Sequence, residues 1–302
     1  MSTHRPPLPK GPIHWILDWD GTMTQKDTLD ALVNIAASTK PNFPTHERWK
    51  NVVAAYLNDY AATLETLSPD GALPTTIEEE RKLLKDMKPV EQRSLDRVAA
   101  SKIFAGLTAR HLEDCARIAI RSGEIALRTG CVDFLRSLSD EGTSKGDTLH
   151  ILSVNWSRHF IASCLKAAGA EIDTSIILAN ELEGIPEGRA STGQISPAGS
   201  MKIVASDDKL LYLEKLREDS PAPVVYVGDS WTDIECLLAA DLGICIRDER
   251  MGSSQRKLAE ALERLSVDCP RLRTGLPEDE SEVVWARDFT ELLRWVDAER
   301  GE

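Results

Sequence analysis

Two aspartates one residue apart, Asp18 and Asp20, close the apolar run Ile13 to Leu17, and a Gly21-Thr22 turn follows at once. Strand alternation places both carboxylates on one side of the backbone and Trp19 on the other. Two like charges that close are costly unless a cation sits between them or one carboxyl keeps its proton. The pattern therefore asks for a metal ion, a proton, or both. Three later positions extend it. Ser153 ends the apolar run Thr148 to Leu152. Asp229 follows Gly228 at the end of Val224 to Val227. Lys209 opens a helical pattern with Leu210, Leu213 and Leu216.

These groups suit the hydrolysis of a phosphate monoester. The uncatalysed reaction is among the slowest known, with enzymatic accelerations reaching about 10²¹-fold. An anionic nucleophile must approach an anionic ester, so charge has to be neutralised. Mg²⁺ prefers oxygen ligands and keeps several waters; Asp18 and Asp229 are candidate ligands. Lys209 and Ser153 fit the remaining phosphoryl oxygens. One carboxylate attacks and forms an aspartyl-phosphate. A second protonates the leaving oxygen and then activates water. An ordinary Asp has a pKa of about 3.9, so the acid, Asp20, needs a site that favours its protonated form while the metal holds Asp18 ionised.

The elements that must position these groups are strands with polar ends. Apolar strands are expected at Ile13 to Leu17, Thr148 to Ser153, Val224 to Val227, Leu242 to Ile246 and Val283 to Trp285. Helical patterns alternate with them after residue 130. Ser157 is placed to cap a helix carrying Phe160, Ile161, Cys164 and Leu165, and the stretch Glu249 to Glu282 gives no clear pattern. Strand–helix alternation implies an α/β fold, a doubly wound, Rossmann-like parallel sheet with helices on both faces. Ligands bind beyond the carboxyl ends of the strands in such sheets.

Between Asp27 and Arg121 the chain reads as helices alone. Trp49, Val52, Val53, Tyr56, Leu57, Tyr60, Leu64 and Leu67 recur at helical spacing and are expected to form that block's core. Ile77 to Met87 and Leu95 to Phe104 read as separate helices parted by Pro89, and Thr108 as an N-cap. The division expected is a core of residues 1–25 and 122–302, with an all-helical insert at 26–121.

The 302 residues carry a net charge of −13, which argues against nucleic acid or an anionic membrane as partner, since phosphate backbones call for a basic footprint. A small phosphorylated metabolite needs only local positive charge. No apolar run approaches the roughly 20 residues of a membrane span. The Pro-rich start, with Pro6, Pro7, Pro9 and Pro12, is no secretory signal. Six cysteines without a Cys-x-x-Cys pair suggest neither zinc nor a disulfide framework, and read as reduced thiols of a cytoplasmic protein.

Asp18-Trp19-Asp20-Gly21-Thr22 resembles the first motif of the haloacid dehalogenase superfamily. Ser153 resembles the second motif, Lys209 the third, and Gly228-Asp229-Ser230-Trp231-Thr232-Asp233 the fourth, in the family's order. The helical block resembles its C1-type cap. The resemblance implies that Asp18 is the nucleophile and a Mg²⁺ ligand. It implies that Asp20 is the general acid/base, with its backbone carbonyl on the metal. Ser153 and Lys209 would bind the phosphoryl group. Asp229 would ligate Mg²⁺, and Asp233 would support it directly or through water. The presence of Asp20 favours phosphatase over dehalogenase, since dehalogenases of the family lack the second acid. The pattern Asp208-Lys209-Leu210 resembles phosphoserine-phosphatase-like members and selects Lys209 over Lys202 and Lys215. Ser153 to Ser157 and Leu127 to Gly130 are similar to the branch with thiamine monophosphate and methylthiopentenyl-phosphate phosphatases. Thiamine monophosphate, phosphoserine or a related metabolite is then the expected substrate.

Asn155 either touches phosphate or only shapes its turn. Lys26 and Asp27 either reach substrate or serve as a solvated charge and a helix cap, and His14 is expected to be packed. A receiver domain has a different motif order and is shorter. A non-catalytic scaffold on the same core, or a phosphotransferase with an acceptor other than water, shares these residues. Oligomeric state is left open.

Overall fold

The structure, a computed structural model, describes residues 11–139, 146–272 and 282–300. In chain order the strands are β1 His14–Leu17, β2 Thr148–Leu152, β3 Ile177–Leu178, β4 Asn180–Leu182, β5 Ile195–Pro197, β6 Val224–Gly228, β7 Leu242–Ile246 and β8 Val283–Ala286. The helices are α1 Leu29–Thr39, α2 Thr45–Leu67, α3 Ile77–Ser101, α4 Ala109–Ser122, α5 Cys131–Ser139, α6 Arg158–Ala167, α7 Ser206–Asp219, α8 Ile234–Ala239, α9 Ser253–Arg264 and α10 Phe289–Arg300. The chain divides into two compact units. One holds Met1–Lys26, Leu127–Leu152 and Lys209–Glu302; the other holds Asp27–Ala126 and Ser153–Asp208. Compactness thus counts residues 153–208 with the helical segment 27–126, whereas the division by function, 1–25 with 122–302 against 26–121, remains a proposal.

In the first unit five strands lie in the order β2-β1-β6-β7-β8, all parallel. This is the expected α/β architecture. β1, β6 and β7 are buried along their whole length, as near-continuous apolar strands are when helices cover both faces. Leu17 pairs with Val227, and the Asp18 amide donates to the Val227 carbonyl at 2.9 Å. The ends of β1 and β6 are therefore level, and Asp18 and Asp229 each follow one of them. Beneath them Trp15 is fully buried, edge-on to Phe134 at 4.9 Å and to Trp295 at 6.3 Å. Such aromatic pairs add about 0.5–1.5 kcal/mol beyond the area they bury.

His14 is buried, as expected, with Nε2 2.8 Å from Nδ1 of His150 on β2. Burial, and then the His150 charge, push His14 down to about 4; burial also lowers His150. An unfolded imidazole takes its proton near 6.5. Between that value and about 4 the unfolded chain binds more protons, so this pair contributes stability above pH 6.5 that is lost on acidification. The raised carboxyls of Asp18 and Asp229 act in the opposite sense, so the readout is a difference between variants. A His14→Gln, His150→Leu double variant is expected to lose less thermal stability between pH 7 and 5 than the parent. Identical pH slopes in a melting series would refute this.

The second unit contains α1–α4, α6 and a small β4–β5 antiparallel hairpin, in which Leu182 pairs with Ile195. Asn180 is fully buried there; its amide donates to the carbonyls of Val154, Asn155 and Ile203, and its Oδ1 accepts from the Ile203 amide.

Two expectations about the helices fail. α3 runs unbroken through Pro89. Proline removes one helical hydrogen bond to the carbonyl four residues back, here that of Lys85. Lys85 and Pro89 are both exposed, so water can serve the freed carbonyl. The aromatic stripe on α2 is also not a core: of its eight residues only Val52 is buried, and Leu57 is 57% exposed. The caps are as expected. Thr108 and His111 form a reciprocal capping box on α4, and Ser157 Oγ accepts from the Phe160 amide at 3.1 Å. The unread stretch Glu249 to Glu282 contains α9, and its residues 273–281 lie outside the described residues. Among the described residues no helix is long and apolar enough to cross a membrane.

Candidate active site

β1 stops at Leu17, one residue before the first aspartate. The backbone then turns rather than alternating: Asp20 has φ −69° and ψ 126°, Gly21 has φ +74°, and the Thr24 amide closes the turn on the Trp19 carbonyl at 3.1 Å. Strand alternation therefore does not relate Asp18 to Asp20. Asp18 is buried and Asp20 half-buried. Gly21 is required twice over. Its φ favours glycine, and a Cβ there would lie 2.4 Å from Oδ2 of Asp229.

Lys209, on the second turn of α7, is fully buried among carboxylates. Its ammonium donates to Asp18 Oδ1 at 2.8 Å and to Asp233 Oδ1 at 2.7 Å. Burial opposes the charged form of Lys209, but Asp18 and Asp233 outweigh it and hold the ammonium well above its ordinary range. Asp233 collects donors on both oxygens. Oδ1 also accepts from Tyr226 at 2.6 Å, and Oδ2 accepts from the amides of Asp229 and Ser230 and from the Ser230 hydroxyl at 2.8 Å. Burial alone would raise Asp233, yet Lys209 and these donors hold it below the usual carboxylate range. Gly228 makes room, since a Cβ there would stand 2.6 Å from the Asp233 side chain.

Asp229 is buried, and Thr22 Oγ1 donates to its Oδ1 at 3.2 Å. Burial, followed by the charge of Asp233, pushes Asp229 up to about 8. Asp18 is raised well above its ordinary value by burial and by Asp233, with Lys209 opposing. Asp18, Asp229 and Asp233 each offer an oxygen within 4.8 Å of the others. Three buried carboxylates around one ammonium leave the cluster short of positive charge. An all-oxygen donor set in that condition suits a hard divalent cation. The Asp20 carboxylate is outside this cluster.

Sequence reasoning therefore named Asp18, Lys209, Asp229 and Asp233, which the fold brings together in one unit. It missed Tyr226, Ser230 and Thr22 as partners. A tyrosine among valines two residues before the Gly228-Asp229 turn was the available signal. Ser153 and Asn155 are counted in the other unit. Ser153 is fully buried, its Oγ accepting from the Asn155 amide at 3.1 Å. Asn155 shapes its turn, accepting from the Ser157 amide and donating to Thr28 Oγ1. Asp27 accepts from the Leu29 amide at 2.7 Å, while the N-cap position of α1 is held by Thr28.

A family model described as haloacid dehalogenase-like hydrolase matches residues 16–238. A CTO1 family protein of Schizosaccharomyces pombe is 28% identical over 242 residues, covering 78% of this chain and 82% of that protein. The mitochondrial bifunctional TH2 protein of Arabidopsis thaliana is 28% identical over 249 residues, 76% of this chain, but the match spans only 38% of that protein. Among solved structures, a phospho-aspartyl intermediate analogue of phosphoserine phosphatase superposes with a TM-score of 0.52 at 17% identity, covering 95% of this chain and 99% of the other. Cytosolic 5'-nucleotidase IIIB bound to cytidine gives a TM-score of 0.53 at 14% identity, covering 97% and 88%. At those identities the likeness is one of fold.

Proposed function

Since the chain belongs to the haloacid dehalogenase-like hydrolase family, we propose that it is a Mg²⁺-dependent phosphatase that hydrolyses a small-molecule phosphate monoester through an aspartyl-phosphate on Asp18. The observation that carries this reading is the buried cluster of Asp18, Asp229 and Asp233 around Lys209. Asp18 and Asp229 fit a divalent cation, because burial and the neighbouring Asp233 charge disfavour the ionised form of both, which a bound cation would restore. The backbone carbonyl of Asp20 is the further ligand proposed. Asp233 already accepts five hydrogen bonds, so its support is indirect, through Lys209 and the Asp229 backbone. When bound, Mg²⁺ supplies positive charge to the phosphoryl oxygens and to Asp18.

The residues then divide the work. Asp18 attacks phosphorus, and the bond from phosphorus to the leaving oxygen breaks. Asp20 gives that oxygen a proton. It next takes a proton from water, which attacks phosphorus and frees Asp18. Lys209 neutralises charge beside the nucleophile, and Ser153 and Asn155 are proposed to hold the phosphoryl group. Phosphoserine, thiamine monophosphate and nucleoside monophosphates are the first substrates to try. A cytoplasmic location is proposed from the sequence.

The test is phosphate release from a panel of these metabolites, sugar phosphates and an aryl phosphate, with Mg²⁺ and with chelator. Metal-dependent turnover of one metabolite far above the rest is expected. Asp20→Asn should lower it by about 10²–10⁴-fold, the usual worth of a positioned acid/base, and less so for the aryl ester, whose leaving group needs little protonation. No turnover of any ester would move the protein to a non-catalytic role.

A further inference from the structure

Arg128 takes no part in the reaction as proposed, yet its guanidinium is buried against the loop that carries the nucleophile. The side chain is 5% exposed. Nη2 donates to the Gly21 carbonyl at 2.6 Å and Nε to the Thr22 carbonyl at 3.0 Å. Nη1 donates to Asp248 Oδ1 at 2.6 Å and, at 3.5 Å, to the Arg287 carbonyl. Asp248 is fixed in turn by Gln255, which donates to its Oδ2 at 2.8 Å and accepts from its amide at 3.0 Å.

The two carbonyls held by this fork belong to the residues that meet Asp229. Thr22 donates its hydroxyl to Asp229 Oδ1, and Gly21 lies so close that a Cβ would overlap Oδ2. A planar fork spanning adjacent carbonyls fixes the orientation of the turn as well as its position. The backbone at Arg128 is tied to the same loop, with its amide donating to the Met23 carbonyl at 2.8 Å and Leu127 bridging to Thr24.

We propose that Arg128 is a positioning residue that sets the Gly21–Thr22 turn against Asp229, and so sets the affinity of the site for its divalent cation without touching substrate. The proposal rests on the reading of Asp18 and Asp229 as cation ligands. Outer partners that orient metal ligands commonly change affinity by about 10–100-fold when removed.

The experiment is calorimetric titration of the intact protein with Mg²⁺ alone, no substrate present, alongside a melting curve. Arg128→Met is expected to weaken Mg²⁺ binding at least about tenfold. Asp248→Asn, which loosens the fork while leaving it in place, should weaken binding by less. Arg300→Met is the control: it breaks a buried pair in the same unit, Arg300 Nη2 to Asp147 Oδ1 at 2.6 Å, and should lower the melting temperature while leaving Mg²⁺ affinity unchanged. Arg128→Met binding as tightly as the parent would overturn the proposal. So would a loss in Arg300→Met equal to that in Arg128→Met, since affinity would then follow stability. Should Arg128→Met not fold, Asp248→Asn decides by the same criterion. A parent protein that binds no Mg²⁺ removes the metal reading itself, and this proposal with it.

Discussion

Asp18→Asn is expected to release no phosphate above background from any ester, a loss of at least about 10⁴-fold for removal of a nucleophile. The amide cannot form the acyl-phosphate and offers one oxygen in place of two. The fold should survive and, without Mg²⁺, gain. The folded protein holds Asp18 at a raised pKa through burial and the nearby Asp233. An ionised Asp18 therefore costs stability at neutral pH, and that cost is absent below its unfolded value. Replacing it with a neutral isostere removes the cost, and Lys209 keeps its bond to Asp233. The metal-free melting temperature of Asp18→Asn should equal or exceed that of the parent. Excess Mg²⁺ should reverse the order, because only the parent has the full ligand pair. Retained turnover in Asp18→Asn would end the proposed mechanism.

Lys209→Met should fail differently, in both activity and stability. Its ammonium is bonded to both Asp18 and Asp233, with side chains 0–5% exposed. Removing one partner of a buried ion pair typically costs about 3–5 kcal/mol, because the remaining charge is stranded. Two carboxylates are stranded here, although Tyr226 and Ser230 still serve Asp233. Turnover should fall about 10²–10³-fold, the range for loss of one preorganised electrostatic contact. Lys209→Arg should restore little of either, since a planar guanidinium does not fit a fully enclosed ammonium site. Parallel activity and melting measurements separate this variant from Asp18→Asn: one is inactive and stable, the other impaired and unstable. A Lys209→Met protein as stable as the parent would contradict the ion-pair account.

Much of the site is legible in the sequence because it obeys local rules. A buried parallel strand must be an apolar run, and a polar residue at its end must be followed by a turn. Asp18, Ser153 and Asp229 each stand at such an end, and their order along the chain carries the family resemblance. Caps are equally local, and Thr108 and Ser157 stand where the helices begin. The chain alone thus determines the α/β core, the strand ends and the groups available for chemistry.

What tertiary structure decided are matters of partnership and exposure. Acidity at position 233 does not reveal that five donors occupy it, because those donors come from β6, from α7 and from its own turn. Tyr226 stands out as a tyrosine among valines, but its partner is known only once the turn carrying Asp233 is placed against its hydroxyl. Arg128 is 107 residues from Gly21 and 120 from Asp248, a separation no local pattern spans. Pro89 breaks a helix only where its orphaned carbonyl is hidden from water, and the aromatic stripe of α2 becomes a core only if something covers it. Each outcome depends on which surfaces meet, and periodicity along one element does not contain that information.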